Sequence, residues 1–189
     1  MKIKKSLICL IPATVAALSS CSFDDNNDST WEQYAEWRQI NEQWLDEQAS
    51  LTGPDGKPLY TKVVPAWNEN AYVLMHWYND TMVTKDNLRP LYTSTIDVKY
   101  IGRLYNDEPF DSSYLNTQPA DSIYRCLVST NIPGWVIAME RMHVGDSVSL
   151  LIPYAQGYGS SSAGSLIKPY SALQFDIKLV DIPAEYVKP

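Results

Sequence analysis

Residues 131–147 read NIPGWVIAMERMHVGDS. A Pro-Gly step leads into a short helix, since proline is pre-set for a first helical position. Trp135 follows that step directly. Met139 and Met142 fall at helical spacing and are assigned to the core. Val144-Gly145-Asp146-Ser147 then ends the helix and starts DSVSLLIP (146–153), with Val148, Leu150 and Ile152 on one side of a strand. No catalytic group stands beside this tryptophan, and by composition alone it reads as core.

Other strand patterns lie on both sides. AYVLMHWYN (71–79) is rich in β-formers, and STIDVKYIGRLY (94–105) places Ile96, Val98 and Tyr100 on one face. SIYRCLV (122–128) sets Ile123 against Tyr124, Cys126 and Val128. SALQFDIKLVDI (171–182) aligns Leu173, Phe175, Ile177 and Leu179. The reading is an α+β domain of about five antiparallel strands around one short helix, with an N-terminal helical extension. A polar connector, residues 80–93, separates the first two strands.

The extension is WEQYAEWRQINEQWLDEQ, residues 31–48. Trp31, Tyr34, Trp37, Ile40 or the next position, Trp44 and Leu45 follow one helical face. Ser29 or Thr30 suits the N-cap. A lone helix cannot form its own core, so this face is expected on the chain's own domain, with a homodimer contact as the alternative. LTGPDGKPLY (51–60) is a breaker cluster and ends the extension at residue 60. The main domain is assigned to residues 70–183.

The start of the chain reads as targeting rather than fold. Lys2, Lys4 and Lys5 precede an apolar run from Leu7 to Leu18, and Leu18-Ser19-Ser20-Cys21 resembles a bacterial lipobox. Residues 1–20 are therefore expected to be a signal peptide and Cys21 a lipidated first residue. SFDDNNDST (22–30) completes an acidic tether, residues 21–30. The expected location is the cell envelope, lipid-anchored to a bacterial membrane, periplasmic or surface-facing. Of three cysteines, Cys9 leaves with the signal and Cys21 carries lipid, so Cys126 has no disulfide partner and reads as a small buried hydrophobe.

The net charge of -7 excludes a phosphate-binding stripe and so argues against nucleic acid. The chain carries 13 Tyr and 6 Trp against 3 Phe. Such rings combine an apolar body with a polar tip and suit half-wet pockets. His76 and His143 have no ligand spacing around them, and phosphate-loop, dinucleotide and nucleophile-elbow patterns are absent. No cofactor or metal is expected. Rotation about an Xaa-Pro bond suits such a chain, because no covalent bond is exchanged. Its barrier of ~18–20 kcal/mol is lost amide resonance, and a site need only hold the twisted amide better than the planar one.

Four stretches in order carry a family resemblance: VKYIGRLYNDEPFDSSY (98–114), NIPGW (131–135), MHVGDSVSLLIPYAQGYG (142–159) and LIKPYSALQFDIKLVDI (166–182). Together they resemble the FKBP-type peptidyl-prolyl isomerases, the macrolide-binding family. The resemblance implies that Trp135 floors a proline pocket. It implies that the Ile132 N–H and the Tyr158 hydroxyl bind substrate carbonyls. Tyr100, Phe110, Asp111 and Phe175 become walls and an acidic partner. Tyr124 (with Ser122 as the ungapped alternative), Asn131, and Ile167 or Leu166 become flanking substrate contacts. Asn131 stands where the family usually has Val, and Lys168 stands in place of a proline. The implied function is isomerisation of proline-containing polypeptides during envelope protein folding, with macrolides as candidate inhibitors. The alternative is a non-catalytic binding module of the same fold. On this reading Trp135→Ala weakens ligand binding without unfolding the domain.

Overall fold

A computed structural model describes residues 26–183; the lipobox and Cys21 lie outside the described residues. Helices α1 (Asn26–Gln33) and α2 (Ala35–Ala49) lead into strands β1 (Thr61–Val63) and β2 (Val73–Trp77). A one-turn helix α3 (Thr81–Thr84) precedes β3 (Thr95–Arg103), β4 (Pro109–Ser112) and β5 (Tyr124–Leu127). Helix α4 (Pro133–Met139), β6 (Ser147–Ile152) and β7 (Leu173–Asp181) complete the order.

The sheet has seven strands rather than five, in the order β1-β2-β6-β7-β3-β4, with β5 also on β3. All pairings are antiparallel. The two additional strands, β1 and β4, have three and four residues, too few to display a period-two pattern. Strand β3 serves two neighbours along one edge: Thr95–Val98 pairs with β5, and Ile101–Arg103 pairs with β4. Between them the Tyr100 N–H donates to the buried Ser113 hydroxyl at 2.9 Å. A side chain thus completes the ladder where the partner strand changes.

Six of the seven residues of α4 are buried, from Gly134 to Met139. They pack with Val98, Leu150, Ile152 and Leu179 into the main core. Gly134 allows that approach, because a Cβ there would stand 2.5 Å from the Ile152 Cγ2. The connector at 80–93 is tied down by the fully buried Asp146, which accepts from Thr84, Asn79 and the His143 N–H. A buried carboxylate is tolerated only with such partners.

Helix α2 packs on the chain's own domain. Its buried positions are Leu45 and Asn41, whereas Ile40 is exposed. The Asn41 amide donates to the Trp37 carbonyl at 2.8 Å, and its Oδ1 accepts from the Ala172 N–H at 2.9 Å. Satisfying two backbone groups is what allows a polar residue at that position. Trp37 Nε1 donates to the Ser171 hydroxyl at 3.1 Å, and the Lys168 ammonium lies 4.3 Å from the Trp37 ring centre. Lys168, where the family resemblance calls for proline, is therefore a cation–π contact with the N-terminal helix. Trp31 of α1 meets the buried Tyr170 edge-on at 5.2 Å, and Tyr154 meets it at 5.4 Å. Tyr170 has φ 63°, a left-handed conformation unusual for a bulky residue, and its N–H donates to the Gly159 carbonyl at 2.8 Å.

Candidate functional site

Three rings form the floor of a pocket of about 250 Å³. Trp135 meets Tyr100 at 5.1 Å and Phe175 at 5.3 Å, both nearly perpendicular, and Tyr100 and Phe175 are 6.2 Å apart. Edge-to-face rings at these spacings stabilise one another beyond their buried area. Phe110 extends the wall from Phe175 at 5.5 Å, and Tyr124 extends it from Tyr100 at 5.6 Å. Asp111, Asn131, Ile132 and Tyr158 form the polar rim.

The backbone explains the convergence. Tyr100 and Phe175 come from the adjacent strands β3 and β7, where Gly102 pairs with Phe175. The same Gly102 pairs with Asp111 across β4, so the glycine lies beside two aromatic walls. A Cβ on it would stand 2.7 Å from the Phe110 ring and 2.9 Å from that of Phe175. Asp111 accepts from the Ser112 N–H at 2.8 Å and from the Tyr100 hydroxyl at 2.7 Å. The Ser112 hydroxyl accepts from the Tyr114 N–H, holding the turn that follows. The FDSS sequence therefore orients both the carboxylate and the Tyr100 ring.

Two rim donors have no partner among the described residues: the Ile132 N–H, at the N-cap of α4, and the Tyr158 hydroxyl. Asn131 uses its amide on the Leu127 carbonyl at 2.7 Å, and also reaches the Val128 carbonyl and the Cys126 sulfur. It thereby fixes the turn that presents Ile132. Cys126 is half-buried rather than fully buried, and burial pushes its thiol pKa up.

Of the sequence-predicted residues, Tyr100, Phe110, Asp111, Tyr124, Asn131, Ile132, Trp135, Tyr158 and Phe175 converge on this pocket. Leu166 and Ile167 do not. They line an adjoining cleft of about 170 Å³, which shares Phe110, Asp111 and Tyr158 with the pocket. Ile167 is buried in the main core, and Leu166 packs against that core. Thr130 lines the pocket without having been singled out in the sequence. Trp135 is 4 % exposed and belongs to the main core, so floor and core are one position. Its removal is therefore expected to cost stability as well as ligand binding.

The hydroxyls at the site stay protonated. Burial, then the Asp111 hydrogen bond, raises the Tyr100 pKa well above the usual phenol range. Burial likewise raises Tyr124 and Tyr158. On the outer sheet face, burial and a bond to Asp176 push Tyr78 up to about 12. A folded-state pKa above the unfolded value gives stability that is complete below the unfolded pKa and lost above it. Activity is therefore expected to be flat between about pH 6 and 9, and thermal stability to fall above about pH 10. Tyr100→Phe should make that alkaline fall shallower. A pH series of melting curves checks it, and identical alkaline slopes would remove Tyr100 from the account.

Residues 88–180 match the family described as FKBP-type peptidyl-prolyl cis-trans isomerase. The "FKBP-type 22 kDa peptidyl-prolyl cis-trans isomerase" of Escherichia coli K12 is 38% identical over 93 residues, 49% of this chain and 43% of that protein. "FK506-binding protein 2" of Candida glabrata is 35% identical over 101 residues, 53% of this chain and 73% of that protein. A crystal structure of a peptidyl-prolyl cis-trans isomerase from Pseudomonas syringae pv. tomato superimposes with a TM-score of 0.61 at 24% identity. It covers 79% of this chain and 95% of that one. The matched segment spans less than half the length of the first curated relatives.

Proposed function

Because the chain belongs to the FKBP-type peptidyl-prolyl cis-trans isomerase family, we propose that it catalyses cis–trans rotation of Xaa-Pro bonds in polypeptides. The observation that carries this reading is the floor of Trp135, set perpendicular to Tyr100 and to Phe175, with two unspent donors at its rim. A prolyl ring seated on that floor leaves water behind. The twisted amide has less charge separation than the planar one, so the loss of water costs it less. The Ile132 N–H and the Tyr158 hydroxyl hold the flanking carbonyls while the bond turns. Asp111 acts through Tyr100, fixing its ring by the 2.7 Å hydrogen bond. Each ~1.4 kcal/mol of preference for the twisted state speeds rotation ten-fold. The uncatalysed step takes tens of seconds or longer, so the gain is measurable.

The Cys21 lipobox supports a lipid-anchored chain in the cell envelope, with proline-containing segments of other envelope proteins as substrates. Residues 31–48 are read as a brace for the 168–172 loop rather than as a dimer contact, since Asn41 and Leu45 are buried within the chain. The test is a protease-free isomerisation assay on an Xaa-Pro peptide, with and without a macrolide. Macrolide-sensitive acceleration is the expected result. No acceleration by folded protein would overturn the reading in favour of a non-catalytic binding module.

A further inference from the structure

We propose that the outer face of α4 carries a second substrate subsite, which takes an apolar side chain a few residues from the proline of the bound polypeptide. The proposal rests on the isomerase reading and names the substrate class further. A concavity of about 440 Å³ lies there, against about 250 Å³ for the aromatic pocket. Trp67, Tyr92, Pro133 and Val136 line it, with Asn131 and Glu140.

Three observations fix the occupant. The first is continuity. Asn131 lines both concavities, Ile132 faces the pocket, and Pro133 faces the groove. From Ile132 to Val136 is one helical turn, a rise of about 5–6 Å. An extended chain advances about 3.3 Å per residue. A polypeptide seated at Ile132 therefore crosses into the groove within two to four residues.

The second is a held-open aromatic wall. Trp67 is 59% exposed and Tyr92 54% exposed, although both stand on anchored turns. The Trp67 turn lies between the buried Pro65 and Ala71, and is closed by the Asn68 N–H on the Pro65 carbonyl and the Ala71 N–H on the Asn68 carbonyl. At the Tyr92 turn the Ser94 N–H donates to the Leu91 carbonyl, and the Leu91 N–H donates to the Ser94 hydroxyl. Wet rings carried on anchored backbone turns offer apolar area without ordering of the chain that bears them. The third is charge. Glu140 is the charged residue of the lining, on a chain of net charge -7. The favoured sequence is therefore an apolar residue beside a basic one. Trp67 lies outside the 88–180 match, so the subsite combines the family domain with the segment before it.

The test uses a four-residue proline peptide and two ten-residue peptides. One long peptide carries Leu-Lys three residues from the proline on each side; the other carries Ser-Asp there. Isomerisation is measured by NMR exchange, and binding by fluorescence anisotropy of labelled peptide. The expected kcat/KM ratio of the Leu-Lys to the Ser-Asp peptide is about ten, the scale of one apolar contact. Trp67→Ala and Tyr92→Ala should each bring that ratio near one, and Trp67→Phe should largely restore it. Equal rates for the two long peptides in the unmodified protein would overturn the subsite, as would a ratio that survives both alanine variants. If no peptide is isomerised, the isomerase reading fails separately. Anisotropy then decides the groove: Leu-Lys-selective binding lost in Trp67→Ala supports it, and unselective binding overturns it.

Discussion

Trp135→Ala is expected to abolish measurable isomerisation and to cost about 3–5 kcal/mol of folding stability. Both effects follow from one position. The indole is 4 % exposed, contacts Tyr100 and Phe175 edge to face, and belongs to the same core as Val98 and Leu150. Removing it leaves a void beneath the proline seat and frees two walls to tilt into it. Total stabilities of domains this size are about 5–15 kcal/mol, so the variant is expected to remain folded at low temperature but to melt early. Trp135→Leu separates the two roles. It keeps much of the volume and should lose less stability, while still lacking the flat floor. Denaturant unfolding of both variants alongside isomerisation rates checks this. Near-normal activity in Trp135→Leu would show that volume alone serves the substrate. A stability loss under about 1 kcal/mol in Trp135→Ala would contradict the void argument.

The sequence made α4, its tryptophan and the long strands readable because each carries a local signal. Pro133-Gly134 marks a helix entrance, and nine residues of β3 are enough to show alternation. What stayed hidden depends on partners distant in sequence. Asn41 is buried because Ala172, 131 residues away, offers it an N–H. Lys168, where the family resemblance has proline, has its contact with Trp37, 131 positions away in sequence. The aromatic residues of the pocket were legible through four ordered motifs, yet the separation of Leu166 and Ile167 into an adjoining cleft that shares Phe110, Asp111 and Tyr158 was not. Trp67 gave no signal at all, since a lone tryptophan between turn residues gains meaning only once α4 stands opposite it.

Gly102→Ala is expected to reduce kcat/KM at least about ten-fold and to cost about 1–3 kcal/mol, the scale of overpacking. The cause is space rather than a left-handed backbone, since Gly102 is not among the positive-φ glycines, although the β3–β4 register shifts between it and Arg103. The added Cβ meets Phe110 at 2.7 Å and Phe175 at 2.9 Å. Phe175 cannot yield, being 4 % exposed and held by Trp135 and Tyr100. Phe110 is only half-buried on a four-residue edge strand, so it is the ring that moves. Its displacement opens the wall and disturbs the neighbouring Asp111, which orients Tyr100. A double-mutant cycle isolates this cause. In a Phe110→Ala background the new methyl has room on that side, and Gly102→Ala should cost at least about 1 kcal/mol less than in the parent. Equal costs in the two backgrounds would transfer the clash to Phe175. The activity loss would then reflect a shifted floor rather than an opened wall.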